Sequence, residues 1–184
     1  MNFEDPSSIS LGGNLLLADP SLGDSNFRRA VLLLNHHTLS SGAEGFVLNR
    51  PLNKLVSDLS LNTNVPELAN VPVYIGGPVG TDNLVFASLH WREDKKRLEF
   101  ATRLSANEAA SRLAEGFEVR AFVGHAGWAA GQLEDELQER AWIPFLPDGR
   151  VLEFKPDAMW RATLELMGPW HQLLARTPED PSLN

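Results

Sequence analysis

Cysteine is absent from this 184-residue sequence, and so is any long run of apolar residues. Without cysteine there are no disulfides, thiolate nucleophiles or Cys-based zinc sites, so a metal would need histidine or carboxylate ligands. The densest apolar run, residues 30–34, is far shorter than the roughly 18 residues of a membrane helix. The N-terminus is acidic where an export signal would be basic, so we expect a cytoplasmic protein without a membrane partner.

A surplus of positive charge is also missing. The chain has 16 Lys and Arg against 24 Asp and Glu, a formal net charge of -8. A body of that sign repels a phosphate backbone at long range. The most basic run, residues 92–97, contains Glu93 and Asp94 and has no aromatic residue for base stacking. We interpret it as a solvated loop and expect no direct binding of nucleic acid.

The length and the 43% hydrophobic content fit one core, which predicts a single domain over residues 1–184 with polar tails at about 1–12 and 177–184. The glycine-rich stretch 42–45 predicts a turn. Continuous or alternating apolar patterns predict strands. These fall at residues 14–18, 28–35, 46–48, 73–75, 84–89, 97–101 and 117–123, and in a late hairpin of 142–145 with 151–154.

Helix signals lie mainly in the second half. Apolar residues at positions 52, 55, 56 and 59 have helical spacing and predict a short amphipathic helix after Pro51. Ser105 and Glu108 form a capping box at the start of another helix. Glycines in 124–131 predict a turn into a third helix, and Pro156 opens a fourth, followed by a last short piece. Strands first and helices later indicate an α+β fold.

Four motifs in this order resemble the YqgE/AlgH family: GNLLLADP at 13–20, GFVLNRP at 45–51, IGGPV at 75–79 and GHAGWAAGQLE at 124–134. The ending PSLN at 181–184 is similar too, so the resemblance covers nearly the whole chain. His125 is a departure, because the family often has an aromatic residue such as tyrosine there. The resemblance implies an α+β fold in which a mixed, bifurcated sheet curls into a pseudo-barrel flanked by helices.

The same resemblance implies little about activity. One member gave the family its name through a regulatory effect on alginate synthesis, and many members are labelled regulators of transcription. The family has no agreed catalytic set, so no catalytic residue is carried over to this chain, and no cofactor is expected.

The stretch 124–134 is the best pocket candidate, with Gly127, Trp128, Gln132 and Glu134 as its ligand-binding candidates. A helix N-terminus after a glycine turn attracts anions, although the acids at 134–136 would oppose an anion there. We favour Trp128 as a core anchor over a stacking platform. Gly76 and Gly77 follow a strand but lack the Lys-Ser/Thr of a P-loop, so we interpret them as a tight turn.

Asn49 and Arg50 are further candidates. Pro51 biases Arg50 towards an extended backbone, from which its guanidinium can grip a carboxylate. That acid belongs either to a substrate or to this protein, and we expect an internal ion pair.

Five histidines are present. His36 and His37 would point to opposite faces of a continuing strand. His90 and His125 each end a predicted strand and could converge with Glu134 in a metal site of two histidines and a carboxylate. No histidine spacing typical of metal sites supports that arrangement, so we expect no metal.

Three functions are compatible with the sequence. The preferred hypothesis is a non-enzymatic binding or regulatory domain that recognises a protein or small ligand near residues 76–77 and 124–134, which are poor in paired acid and base groups. The alternative is a hydrolase-type enzyme in which His90 or His125 is the base and the Asn49–Arg50 pair orients a small anionic substrate. A DNA-binding regulator is disfavoured by the negative charge and by the lack of a basic helix-turn-helix pattern.

Overall fold

The structure is a computed structural model that describes residues 10–59 and 65–178. In these residues nine strands belong to one sheet, and four α-helices and three short 3-10 helices accompany them. The strands are β1 Leu15–Ala18, β2 Val31–Thr38, β3 Gly42–Val47, β4 Pro51–Leu55, β5 Pro72–Ile75, β6 Val79–Arg92, β7 Arg97–Leu104, β8 Glu118–Trp128 and β9 Trp142–Phe145. The α-helices are α1 Ala106–Ala114, α2 Gln132–Gln138, α3 Pro156–Leu166 and α4 Pro169–Leu174.

The sheet is mixed and divides at β8. Its main path runs β4-β5-β8-β3-β2-β1-β9, and β6 leaves this path at β8 and pairs with β7. The first half of β8 lies parallel to β5 and antiparallel to β6, whereas its end lies antiparallel to β3. The sheet therefore curls into a half-barrel flanked by the helices, which confirms the α+β fold that the family resemblance implied.

Glycine is required where the chain leaving β5 crosses β8. A Cβ built on Gly76 would lie 2.3 Å from the carbonyl oxygen of Gly124, and one built on Gly77 would lie 2.3 Å from the carbonyl carbon of His125. Since real Cβ atoms do not approach a backbone so closely, only glycine allows this crossing. Gly76 also donates its amide to Val123 and accepts the amide of Val47, so the crossing ties β3, β5 and β8 together.

The core lies on both faces of the β1–β2 pair. Leu15 and Leu17 pack on one face, in a cluster that includes Trp160 of α3. Leu16 packs on the other face, in a cluster that includes Leu133 of α2. This pair of strands is therefore buried on both faces, with α3 on one side and α2 on the other.

The predicted helix after Pro51 is wrong. Residues of β4 pair with β5, and only a single 3-10 turn, Val56–Asp58, follows them. Asn53 has φ 55, and the register shifts between Pro51 and Lys54, so the strand is irregular. The backbone hydrogen bonds to β5 outweigh the helical spacing of the apolar residues, because helix propensity is weak over so short a segment.

Three other local predictions need correction. Residues 42–45 are part of β3 instead of a turn, and residues 124–128 continue β8, so α2 begins only after Gly131. The second strand of the late hairpin, 151–154, is instead covered by the 3-10 helix Gly149–Glu153. Glycine content and apolar spacing are local signals, and they do not show whether a neighbouring strand is present to pair with the segment.

Other expectations are confirmed. Ser105 and Glu108 exchange the two hydrogen bonds of a capping box at the start of α1. Of the predicted tails, residues 1–9 and 179–184 lie outside the described residues. Leu11 is not part of a loose tail, because its amide donates to Nδ1 of His37 at 3.1 Å. No helix in the described ranges is long and apolar enough to cross a membrane.

Candidate functional site

A surface cleft of about 600 Å³ lies between the segment 19–30, the end of β3 and the start of α3. We call it the arginine cleft. Four arginines line it and one acid, Asp157, faces them, although the whole chain carries a net charge of -8. Its lining residues are Ser25, Arg28, Arg29, Asn49, Arg50, Pro156, Asp157, Ala158, Trp160 and Arg161.

Asn49 joins this cleft to the sheet. Its side chain is buried, with Oδ1 accepting the amide of Val31 at 2.9 Å and Nδ2 donating to the carbonyl oxygen of Arg29, also at 2.9 Å. A buried amide without partners would be costly, so this pair of bonds fixes both the asparagine and the backbone that carries Arg29. Asn49 is therefore a positioning residue with little free hydrogen-bonding capacity of its own.

Arg50 lies next to it, half-buried. Its guanidinium donates to the carbonyl oxygens of Asn49, at 3.3 Å, and of Arg28. The expected internal ion pair is wrong, because in the described ranges no carboxylate lies within ion-pairing distance of Arg50. Burial lowers the pKa of the Arg50 guanidinium, since the charge is desolvated without a counter-charge. An anion entering the cleft would compensate that charge.

Arg29 also lines the cleft and packs on the aromatic ring of Trp160. Its guanidinium carbon lies 5.0 Å from the ring centroid of Trp160, which is within the range of a cation–π interaction. The same guanidinium donates to the carbonyl oxygen of Thr177 at 2.5 Å. Trp160 is itself fixed, because its indole nitrogen donates to the carbonyl oxygen of Ala18 at 2.8 Å.

Arg28 and Arg161 complete the positive wall. Both are exposed, and neither has a side-chain hydrogen bond or an ion pair in the described part of the chain. The N-terminus of α3 also lines the cleft, and its partial positive charge favours an anion, whereas Asp157 in the first turn opposes one. Arg28, Arg50 and Arg161 against the single carboxylate of Asp157 leave the cleft positive.

The glycines and histidines of the predicted site lie elsewhere. Gly76 and Gly77 form the crossing over β8, where their backbone groups serve the sheet. His90 packs on Phe117, with ring centroids 4.7 Å apart. Nε2 of His125 lies 3.9 Å from Oε2 of Glu44.

The proposed convergence of His90, His125 and Glu134 is wrong. His90 follows Leu89, which is paired with Glu118 of β8, whereas His125 lies in β8 itself. The two histidines are therefore at least seven positions apart along β8, roughly 23 Å of strand. Glu134 instead accepts from Nε2 of His37 at 2.7 Å. In the described ranges, no group of three His, Cys, Asp or Glu could hold a metal ion.

The pairing of His37 with Glu134 was not found from the sequence. His37 is buried and His36 exposed, which confirms that they face opposite ways. Because Nδ1 of His37 accepts the Leu11 amide, Nε2 carries the proton that it donates to Glu134. The histidine thus connects the N-terminal segment, β2 and α2.

The predicted candidates separate into different places. Asn49 and Arg50 line the arginine cleft, whereas Gly127, Trp128 and Gln132 line a second, smaller pocket. Sequence reasoning missed the other three arginines of the cleft. The neighbouring pair Arg28–Arg29 at the entrance of a buried strand was an available signal, but Arg161 had none, since it reaches the cleft only through the tertiary fold.

The fold and the cleft together define an α+β protein with a curled, bifurcated sheet and an arginine-lined surface depression. The chain belongs to the AlgH-like family (DUF179), whose profile matches residues 15–172. It is 40% identical over 193 residues to a UPF0301 protein of Streptomyces avermitilis, covering 95% of this chain and 96% of that protein. It is 32% identical over 189 residues to a UPF0301 protein of Chlorobaculum parvum, covering 94% and 95%.

Two solved structures share the fold. The solution structure of the AlgH protein from Pseudomonas aeruginosa matches with a TM-score of 0.63 and 27% identity, covering 97% of this chain and 98% of that one. A crystal structure of a Corynebacterium diphtheriae protein matches with a TM-score of 0.70 and 21% identity, covering 96% and 95%. The family resemblance drawn from the four motifs is confirmed.

Proposed function

We propose that this protein is a non-enzymatic binding domain that takes up a small anion, bearing carboxylate or phosphate groups, in the arginine cleft. The observation that supports this most is that Arg28, Arg50 and Arg161, which have no ion pair in the described ranges, share a cleft of about 600 Å³ with a single acid, on a chain of net charge -8. Such a local reversal of sign is unfavourable without a ligand, because like charges repel one another. A cleft of this volume is large enough for a small molecule.

The geometry of the arginines suits anion recognition. Arg50 is held by backbone carbonyls, and Arg29 by Trp160 and Thr177, so little side-chain entropy remains to be lost on binding. A guanidinium has five N–H donors and matches carboxylate or phosphate oxygens in pairs. Arg28 and Arg161 are exposed and have no side-chain hydrogen bond in the described ranges, so their guanidinium groups are available to an anion from the solvent side.

The two alternatives have less support. A hydrolase with a histidine base needs that base beside the bound anion, and among the described residues no histidine lines the arginine cleft. A regulator that binds DNA directly needs an extended basic surface, which a net charge of -8 and a confined cleft do not supply. A regulatory role would act through the bound anion or through a protein partner.

The proposal is tested by calorimetric titration of the full chain with inorganic pyrophosphate and with citrate, at ionic strength matched with sodium chloride. We expect at least one of them to bind. Arg28→Gln and Arg161→Gln should each weaken that binding by about 1–3 kcal/mol, roughly 5- to 150-fold in Kd, because each removes a charge-assisted hydrogen bond.

Arg97→Gln is the matched control. It removes the same charge from the β6–β7 hairpin, outside the cleft, and should leave the affinity unchanged. Both cleft variants remove exposed side chains that have no hydrogen bond within the described part of the chain, so their folding is not at issue. Lack of binding by both probes would contradict the proposal, and so would an equal loss in all three variants, which indicates attraction by net charge alone.

A further inference from the structure

Three arginines of the arginine cleft carry charge that the described residues do not balance. Arg28, Arg50 and Arg161 line it without an ion pair, and Asp157 is the one acid among the described lining residues. The fourth arginine, Arg29, has contacts of its own. Three positive charges against one negative charge leave a surplus of two. A dianion would balance the cleft, whereas a monocarboxylate would leave one positive charge uncompensated.

These arginines approach the cleft from three parts of the fold. Arg28 belongs to the segment between β1 and β2, Arg50 lies between β3 and β4, and Arg161 is on α3. In the described ranges Arg50 uses two of the five N–H donors of its guanidinium, towards the carbonyl oxygens of Asn49 and Arg28. Hydrogen-bond donors are therefore left on several sides of the cleft.

The N-terminus of α3 adds donors that belong to the backbone. The helix has 11 residues, begins at Pro156 and has Lys155 as its N-cap, so no side-chain oxygen caps it. Within the described residues the amide of Asp157 has no acceptor. Backbone amides at such a helix end bind phosphate oxygens, and the partial positive charge there favours an anion, although the Asp157 carboxylate subtracts from it.

The number and arrangement of these donors favour phosphate over carboxylate. A carboxylate has two oxygens in one plane, which a single guanidinium fork can satisfy. A phosphate monoester has three acceptor oxygens around one phosphorus atom and a charge of about -2 near pH 7, so it accepts from donors on several sides at once. The cleft of about 600 Å³ also has room for the organic part of a phosphorylated molecule.

We propose, on the basis of the function proposed above, that the ligand of the arginine cleft is a small phosphate monoester, bound as the dianion by Arg28, Arg50, Arg161 and the first turn of α3. Phosphodiesters, which include the backbone of nucleic acids, carry one negative charge per phosphate and would leave part of the surplus charge uncompensated. The ligand class is thereby narrowed from anions in general to phosphorylated small molecules.

The experiment compares three aromatic anions by calorimetric titration of the full chain, at matched ionic strength and about pH 7.5. Phenyl phosphate is a tetrahedral dianion, phenyl sulfate is a tetrahedral monoanion of similar shape, and phthalate carries its two charges on two planar carboxylates. Phenyl phosphate should bind at least about tenfold more tightly than either of the others, because each of them lacks one of the two properties that the cleft selects.

Equal or tighter binding of phthalate or phenyl sulfate would overturn the assignment to a phosphate monoester and leave the proposed function standing. No binding of phenyl phosphate would overturn it as well, and the titrations with pyrophosphate and citrate then decide the proposed function separately.

A pH series isolates the charge of the ligand. The second proton of a phosphate monoester dissociates near pH 6, so phenyl phosphate changes from a charge of about -1 to about -2 between about pH 5 and pH 8. Since no histidine lines the cleft among the described residues, the affinity for phenyl phosphate should rise about tenfold over this range, while that for phenyl sulfate stays level. A parallel rise for both compounds would indicate titration of the protein and would contradict the proposal.

Asp157→Asn tests the charge balance without removing an arginine. It takes away the acid in the first turn of α3 and should tighten the binding of phenyl phosphate about two- to tenfold. Asp82→Asn makes the same change at an exposed position on β6, outside the cleft, and should have no effect. Unchanged affinity in Asp157→Asn, or an equal gain in both variants, would refute the assignment to this end of α3.

Discussion

Asn49 shows how one neutral side chain can organise a charged cleft. Its two hydrogen bonds, to the amide of Val31 and the carbonyl of Arg29, hold the turn that precedes β2 against the end of β3. Arg50, the next residue, then donates to the carbonyl of Arg28 in the same turn. The position of three arginines therefore depends on backbone contacts made by two neighbouring residues, and not on ion pairs.

Gly77 is the residue whose replacement we expect to be most damaging. In Gly77→Ala the new Cβ would lie 2.3 Å from the carbonyl carbon of His125, at a φ of 153°. We expect a loss of about 3 kcal/mol or more in the free energy of unfolding, since backbone must move against backbone. The measurement is chemical denaturation monitored by circular dichroism.

Gly23→Ala is its control. Nothing lies within 4 Å of a Cβ built on Gly23, and its backbone conformation is open to other residues. Its effect should stay within about 0.5 kcal/mol. Similar stabilities for the two variants would show that the crossing over β8 is looser than the structure has it.

At the scale of elements, β8 carries most of the architecture. Its first half lies between β5 and β6, its end pairs with β3, and Gly124, with φ 71, lies where the partners change. A strand with three neighbours explains why the family motif at 124–134 is rich in glycine. The first half of the motif belongs to the sheet, and from Gly127 onwards its residues line the second, smaller pocket.

The 3-10 helix Gly149–Glu153 should show a defined pH dependence. The Asp148 carboxylate accepts from the Arg150 side chain and from its amide, and these bonds lower the pKa of Asp148 from 3.8 to about 2. Because the folded pKa is depressed, the stabilisation is complete above about pH 4 and is lost as the pH falls through about 2.

Asp148→Asn should therefore be less stable than the wild type at pH 6 and should approach it below pH 3. The difference should not exceed about 1 kcal/mol, since the pair is largely exposed to solvent. Thermal unfolding of both proteins across this pH range measures it, with Asp82→Asn as the control for a general loss of negative charge. A constant difference at every pH would contradict the assignment to this carboxylate.

At the scale of the whole molecule, the two ends of the described chain are joined. β1 lies between β2 and β9, with Leu15 opposite Phe145, and Trp160 of α3 is bonded to the carbonyl of Ala18. The core on one face of β1 includes Met159 and Trp160 of α3. Folding of the first strands thus depends on the last third of the chain.

A chain that ends after residue 140 should consequently lose cooperative unfolding. It lacks β9, α3 and α4, so one edge of β1 is unpaired and a large apolar surface is exposed. We expect aggregation or a transition without a sharp midpoint in calorimetry. A chain that ends after residue 178 keeps all described elements and should unfold cooperatively, and a cooperative, monomeric 1–140 fragment would contradict the prediction.

Much of this organisation follows from local sequence. The apolar residues of β1 and β2 predict buried strands because nothing else can accommodate so many leucines, and the Ser105–Glu108 capping box specifies the start of α1 by itself. Four motifs were enough to identify the family. These features depend on residues that are close in the sequence, where spacing and side-chain chemistry carry the information.

Tertiary structure decided the rest. Residues 51–55 became a strand because β5 offered hydrogen bonds, and Arg28 and Arg161, 133 positions apart, came to line one cleft because α3 packs against the sheet. The second, smaller pocket likewise brings Phe27 together with Trp128 and Trp142. Local patterns indicate which residues are buried or exposed, but only the packing of distant elements determines which charges and rings meet.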